Sequence, residues 1–115
     1  MTKGKVVLVP FPFDDLTTAK ARPVVCLADP IGPHRHVVVA FISSQVPQNL
    51  LETDLLLETQ HPNFAPTGLK TSSVLSLHRL MTISTSAIRR ELGQLPQELQ
   101  TIIEEKLRKL FEMKP

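Results

Sequence analysis

Polar side chains stand at the ends of two apolar runs and could together act on a phosphate group. Arg22 directly precedes Pro23 and the run VVCLA, and Ser43, Ser44 and Gln45 close the run VVVAFISSQ. A guanidinium stays charged, and its N–H donors match phosphate oxygens, while hydroxyl and amide groups add neutral donors. The simpler interpretations are a strand-end arginine, solvated or paired with a nearby aspartate, and polar residues that merely close a strand.

Histidine adds a group for acid–base chemistry. His78 lies in LSLHRL with the same strand parity as Ser76, and imidazole exchanges protons near neutral pH. The alternative for His78 is a partly buried polar residue on a strand. His34 and His36 would share one face of a strand, but no cluster of Cys, Asp or Glu completes a metal site. We therefore expect neither a metal nor another cofactor.

Composition limits the classes of function. The 115 residues predict one domain, residues 1–115, and the net charge of +2 permits an anionic partner. There is no Trp or Tyr, so only phenylalanines could stack on nucleobases. Sequence motifs of P-loop, dinucleotide-binding, zinc-protease and serine-hydrolase proteins are absent.

Without a signal peptide or a membrane-spanning apolar run, we expect a cytoplasmic protein with no membrane partner. The single cysteine, Cys26, lies in an apolar run and is expected in the core.

The elements that must position these groups follow from local patterns. β-branched runs separated by Pro-, Gly- and Asp-rich segments indicate strands, and apolar residues at helical spacing indicate a terminal helix. The predicted strands cover residues 5–11, 22–28, 36–44, 54–58 and 69–84, and the helix runs from Pro96 to Phe111.

Three finer expectations concern these strands. The first strand should become an edge or leave the sheet at Pro10 and Pro12, since proline donates no ladder hydrogen bond. Residues 13–21 should form a loop. Alternation over residues 69–84 places Leu75, Leu77, Arg79 and Met81 on one side, with a bulge or bend possible.

Five or six strands followed by one helix predict a mostly β fold. The connections are too short for the crossovers of a parallel sheet. We therefore expect a small antiparallel barrel, or a strongly bent sheet, with a C-terminal helix.

Taken in order, these segments resemble the MazF/PemK-like toxins of bacterial type II toxin–antitoxin modules. In KGKVVLVPFPFDDLTTAKARPVVCLAD, Gly4, Pro12, Phe13, Arg22 and Pro23 occupy the family's characteristic positions. The similarity continues through FISSQ, GLKTSSVLSLHRLMTIS, IRRELGQL and the terminal helix, and so covers nearly the whole chain.

The resemblance implies both a fold and an activity. The fold is a small SH3-like antiparallel barrel of the PemK/MazF type, usually a homodimer. The activity is metal-independent, sequence-selective cleavage of single-stranded RNA, including mRNA. The 2′-hydroxyl attacks the adjacent phosphate and leaves a cyclic phosphate and a free 5′-hydroxyl. A cognate antitoxin blocks the RNA groove and so prevents growth inhibition.

The resemblance also implies roles for individual residues. Arg22 falls on the catalytic arginine and Ser43 on the hydroxyl position, and His78 is the candidate general base, with Asp14 and Asp15 as the other candidates. Positions expected to bind RNA are Lys20, Ser44, Gln45, Arg79 and Phe13.

Three positions depart from the patterns of particular branches of the family. His78 and Ser76 stand where one branch carries an acidic residue and an arginine. Thr17 stands where some members carry a glutamate. A catalytically weak or inactive module that binds RNA, DNA or a partner peptide is therefore the alternative function. A protein target such as DNA gyrase, which toxins of the related fold poison, is a third.

Overall fold

The structure, a computed structural model, describes residues 2–11 and 20–114. Within them the chain forms six strands and one α-helix, together with two short 3-10 helices at Ala65–Thr67 and Thr85–Ala87. The strands and helix are β1 (Lys5–Phe11), β2 (Lys20–Cys26), β3 (His36–Ser43), β4 (Asp54–Leu57), β5 (Ser73–Ser84), β6 (Arg90–Gln94) and α1 (Gln97–Leu110).

The strands form a single curled antiparallel sheet in the order β4-β5-β3-β2-β1-β6. This arrangement confirms the predicted mostly β, antiparallel fold with a C-terminal helix. The sheet is a half-barrel, since β4 and β6 lie at its two edges. No helix in the described ranges is long and apolar enough to cross a membrane.

The hairpin of β1 and β2 extends further than the sequence pattern predicts. Lys20 and Ala21, expected in a loop, pair with Phe11 and Pro10. At Pro10 the strand has β2 on one side only, because β6 pairs with β1 no further than Leu8. The expected edge at Pro10 is thus confirmed. Residues 12–19 lie outside the described residues, so the predictions for Pro12, Phe13 and Thr17 stay predictions.

Apolar side chains form one core cluster on each face of the sheet. The first cluster packs under α1, whose Leu99 and Ile103 are buried in it. The second lies on the opposite face and contains Cys26, which confirms the expectation that this thiol is a core residue. The strand residues of the second cluster are Val7, Val9, Val24, Cys26, Val37, Val39 and Ile83.

A bulge interrupts the pairing of β3 with β5. Phe41 pairs with Ser76, but its neighbour Ala40 pairs with Leu80, so residues 77–79 of β5 have no directly paired residue on β3. The bulge that the imperfect alternation allowed is therefore present. Bulges re-aim side chains and are common beside functional sites.

The bulge also corrects one sequence prediction. Leu75, Leu77 and Leu80 all belong to the first cluster, whereas Met81 packs against the second. The expectation that Leu75, Leu77, Arg79 and Met81 share one side is therefore wrong, because the extra residues reverse the parity of the strand.

Candidate functional site

Strand pairing aligns four side chains in a row across the sheet. Val24 pairs with Phe41, Phe41 with Ser76, and Ser76 with Asp54. Directly paired residues of antiparallel strands lie on the same face, so this row belongs to the face that carries the second core cluster. The row passes from a buried valine to an aspartate at the sheet edge.

A second row lies two residues closer to the end of β3. Ser43 pairs with Val74, which pairs with Leu56. The recorded ladder between β2 and β3 ends at Val24 and Phe41. Arg22 lies two residues before Val24 in β2 and therefore belongs to the same face of that strand. Arg22 is exposed.

A cleft of about 440 Å³ opens over these rows. Its walls combine hydroxyl, amide, carboxylate, imidazole and guanidinium groups, a mixture suited to a polar ligand. The lining residues are Ser43, Gln45, Pro47, Asn49, Leu51, Asp54, Val74, Ser76, His78 and Arg79.

The bulge presents His78 and Arg79 together. They are consecutive, yet both are exposed and both line the cleft. His78 is oriented by Thr53, whose Oγ1 lies 3.0 Å from the imidazole Nδ1. The backbone reinforces this contact, because the N–H of Leu77 donates to the carbonyl of Thr53 at 3.0 Å. The remaining ring nitrogen, Nε2, is then available to a ligand.

Arg79 is held by an aromatic ring. Its guanidinium carbon lies 4.7 Å from the centroid of the Phe41 ring. That distance is within the range of cation–π attraction, which restrains the guanidinium at the cleft. Arg79 therefore offers a positioned positive charge next to His78.

Asp54 is the group that sequence reasoning missed. Its side chain is 7% exposed, and its Oδ2 accepts a 2.8 Å hydrogen bond from the backbone N–H of Leu51. In the sequence, DLLLE reads as an ordinary short strand. The only signal was a polar residue at its first position, and strand pairing alone shows that this residue faces the cleft.

Residues 44–53 form the rim of the cleft and are tied at both ends. The Ser43 Oγ accepts from the backbone N–H of Gln45 at 3.1 Å. From α1, Lys106 Nζ donates to the Glu52 carbonyl at 2.8 Å, and Lys109 Nζ lies 3.8 Å from Glu52 Oε1. The helix thus supports the segment that carries Gln45, Asn49 and Leu51.

The structure brings together some of the predicted site residues and leaves others apart. Ser43, Gln45, His78 and Arg79 line one cleft, whereas Arg22 is exposed and is not among its lining residues. Ser44 and Lys20 are exposed and are not among its lining residues. The predicted Phe13 and the other base candidates, Asp14 and Asp15, lie outside the described residues.

The histidines His34 and His36 do lie side by side, with ring centroids 5.9 Å apart. In the part of the chain that the structure describes, no group of three or more His, Cys, Asp or Glu side chains could hold a metal ion.

A second cavity, of about 430 Å³, lies between α1 and the ends of the first strands. Its walls are mainly apolar and include Leu107, Phe111 and the buried Cys26. Burial raises the pKa of the Cys26 thiol to about 11, so the thiol is neutral at pH 7. Its polar lining side chains are Lys3, Gln100, Glu104 and Arg108, of which Lys3 and Glu104 form an ion pair at 3.1 Å.

Comparisons with known proteins agree with this fold. The structure is similar to the Mycobacterium tuberculosis toxin MazF-mt6, with a TM-score of 0.70 and 23% identity over 96% of this chain and 99% of that one. A MazE–MazF structure from Deinococcus radiodurans gives 0.71 and 15% identity, covering 99% and 97% of the two chains.

A third similar structure is an endoribonuclease in complex with its cognate antitoxin from a mycobacterial species. Its TM-score is 0.67 at 14% identity, covering 100% of this chain and 98% of that one. A search of curated protein sequences gave no match. Residues 2–111 match the family model of the PemK-like, MazF-like toxins of type II toxin–antitoxin systems, and the chain therefore belongs to that family.

Proposed function

We propose that this protein is a metal-independent, sequence-selective endoribonuclease that cleaves single-stranded RNA, and mRNA in particular, in the cytoplasm. The observation that carries the proposal is the convergence of Ser43, His78 and Arg79 on one cleft, and Arg22 belongs to the face of β2 that carries Val24. Family membership supports it, because toxins of this family are generally endoribonucleases.

The proposed reaction is an internal transfer at one phosphodiester. The 2′-oxygen bonds to phosphorus while the bond from phosphorus to the 5′-oxygen breaks, which leaves a cyclic phosphate and a free 5′-hydroxyl. His78 Nε2 takes the proton of the 2′-hydroxyl. For Nε2 to accept, Nδ1 must carry hydrogen and donate it to Thr53 Oγ1.

Charge gathers on the phosphoryl oxygens in the transition state. Arg22 and Arg79 supply the positive charge that stabilises them, and Ser43 and Gln45 add neutral donors. Water supplies the proton that the leaving 5′-oxygen takes up, while an N–H of Arg22 donates a hydrogen bond to that oxygen. Because Phe41 restrains Arg79, little reorganisation of that guanidinium is needed during reaction.

The direct test is cleavage of a mixed RNA by the purified protein in EDTA. We expect products that end in a cyclic phosphate. Arg22→Ala should slow cleavage by about a hundredfold or more, the usual cost of removing a group that stabilises transition-state charge. Arg108→Ala, on the exposed side of α1 and outside the cleft lining, serves as the matched control. No cleavage by the wild type, or equal cleavage by Arg22→Ala, would refute the proposal.

A second candidate is a module that binds RNA, DNA or a peptide without cleaving. It is favoured by one observation, Thr17 in place of the glutamate of some family members. Binding without any product that carries a cyclic phosphate would support it. Inhibition of DNA supercoiling by the protein would instead indicate gyrase as the target.

We also propose a cognate antitoxin and a homodimer. Similar structures include complexes with an antitoxin, and the described residues leave Ile31, Phe111 and Met113 more than half exposed. Apolar surface of this kind favours association. Growth arrest that a co-expressed antitoxin relieves would support the first proposal. A light-scattering mass of 12.8 kDa, the mass of one chain, would contradict the second.

A further inference from the structure

The proposed nuclease must choose among RNA sequences, and one lining group of the cleft has the chemistry to do so. Asp54 is more than nine-tenths buried and lines the cleft from the sheet edge. It stands in the same cross-strand row as Ser76 and Phe41, so it lies beside the proposed reaction centre.

The carboxylate of Asp54 has acceptor capacity beyond its structural bond. Oδ2 accepts from Leu51 N–H at 2.8 Å. An ionised carboxylate has about four acceptor positions and no donor. A ligand group beside it must therefore present N–H or O–H donors, and two adjacent donors suit it best.

Guanine is the RNA base that meets this requirement. Its Watson–Crick edge places the N1–H and the 2-amino group side by side, with the O6 acceptor next to them. Adenine and cytosine place a ring acceptor beside their amino group, and uracil places a carbonyl on each side of N3–H. Both arrangements bring an acceptor against the carboxylate, which is unfavourable. Single-stranded RNA is read mainly on this edge.

Two other lining residues can contact the parts of guanine that Asp54 does not bind. The Asn49 amide can donate to O6, the acceptor that the carboxylate cannot serve. Leu51 is 58% exposed and also lines the cleft, so it offers an apolar surface to the face of a base. The cleft volume of about 440 Å³ is within the range of small-ligand sites.

We propose that Asp54, with Asn49, recognises a guanine next to the scissile phosphate, a role that rests on the proposed nuclease function. Asp54 accepts from N1–H and the 2-amino group, while Asn49 donates to O6. The bond between Asp54 and Leu51 fixes the carboxylate, so selection for guanine is built into the folded rim.

The test measures base preference with and without catalysis. Binding is measured by fluorescence anisotropy on the Arg22→Ala protein. The probes are short oligouridine RNAs that carry one central guanosine, inosine or adenosine. Inosine lacks only the 2-amino group. We expect guanosine to bind about tenfold more tightly than inosine, because a hydrogen bond to a charged group is lost.

Variants connect the preference to the residue. Asp54→Asn keeps an oxygen for Leu51 N–H but replaces the other with a donor, so the guanosine preference over inosine should disappear. Glu58→Gln, an exposed carboxylate just after β4 and outside the cleft lining, should leave it unchanged. Asn49→Ala should lower the binding affinity for the guanosine and inosine probes equally, because both bases carry O6. This variant keeps the hydrogen bond between Leu51 and Asp54, so it tests the site even where Asp54→Asn fails to fold.

Cleavage mapping separates the two proposals. Cleavage in EDTA without any preference for guanine would overturn the recognition and leave the nuclease standing. Guanosine-selective binding that Asp54→Asn abolishes, without cleavage by the wild type, would overturn the nuclease and support the recognition. Equal binding of the three probes by the Arg22→Ala protein would overturn the role of Asp54.

Discussion

Replacing Thr53 with valine tests whether a single hydrogen bond prepares His78 for catalysis. Valine keeps the β-branched shape but removes the Oγ1 that lies 3.0 Å from His78 Nδ1. A neutral hydrogen bond of this kind contributes about 1 kcal/mol. If that stabilisation acts in the transition state, its loss lowers kcat about fivefold, since about 1.4 kcal/mol corresponds to a factor of ten.

The assay is steady-state cleavage of a fluorogenic RNA over a range of RNA concentrations, which gives kcat and KM separately. We expect the loss in kcat and little change in KM, because the imidazole acts on the reacting proton. Thr53→Ser retains the hydroxyl and should restore most of the rate. Thr59→Val is the control, since the Thr59 hydroxyl donates to Gln60 Oε1 and Thr59 lies outside the cleft lining. Wild-type kcat in Thr53→Val, or equal losses in both Thr53 variants, would refute this account of His78.

Three further predictions concern stability and reactivity. Gly93→Ala should destabilise the fold by about 3 kcal/mol in urea unfolding, because the added Cβ would overlap the Pro66 carbonyl oxygen. An unchanged urea midpoint would contradict this prediction. The Cys26 thiol should react slowly with a disulfide reagent in the native protein and rapidly in the urea-unfolded protein, because burial raises its pKa to about 11. Rapid labelling of the native protein would contradict this prediction. The backbone N–H groups of residues 2–3 donate to Asp29 and lower the pKa of its carboxyl, so the stabilisation is complete above about pH 4 and is lost as the pH falls through the lowered pKa. Asp29→Asn should therefore reduce the change of melting temperature with pH over that acidic range. An unaltered acid dependence would exclude this role.

Most elements were predicted well because their signals are local, but β6 was not among the predicted strands and β5 begins at Ser73 rather than at residue 69. β-branched runs and helical spacing identified β1, β3, β4 and α1 to within about a residue at most ends. The start of β2 was placed too late, since Lys20 and Ala21 belong to a strand only through pairing with β1. The local strand propensity of a residue does not show which strand it pairs with.

The site was predictable only in part, for the same physical reason. Resemblance to the family pointed to Ser43 and His78, and both line the cleft. Asp54 could not be found, because its place in the site depends on the register between β4 and β5. The parity of Met81 was predicted incorrectly, because alternation cannot give the number of residues inside a bulge.

The strand order has a consequence for when the cleft comes into existence. The two cross-strand rows beneath the cleft join β3 to β5 and β4. The proposed reaction centre adds Arg22 from β2. The pair of Phe41 and Ser76 closes a long stretch of chain, and contacts of this kind form slowly and late in folding. A ribosome-bound chain that has not yet released β5 therefore has no cleft. RNA cleavage of the proposed kind can therefore begin only once β5 has joined the sheet.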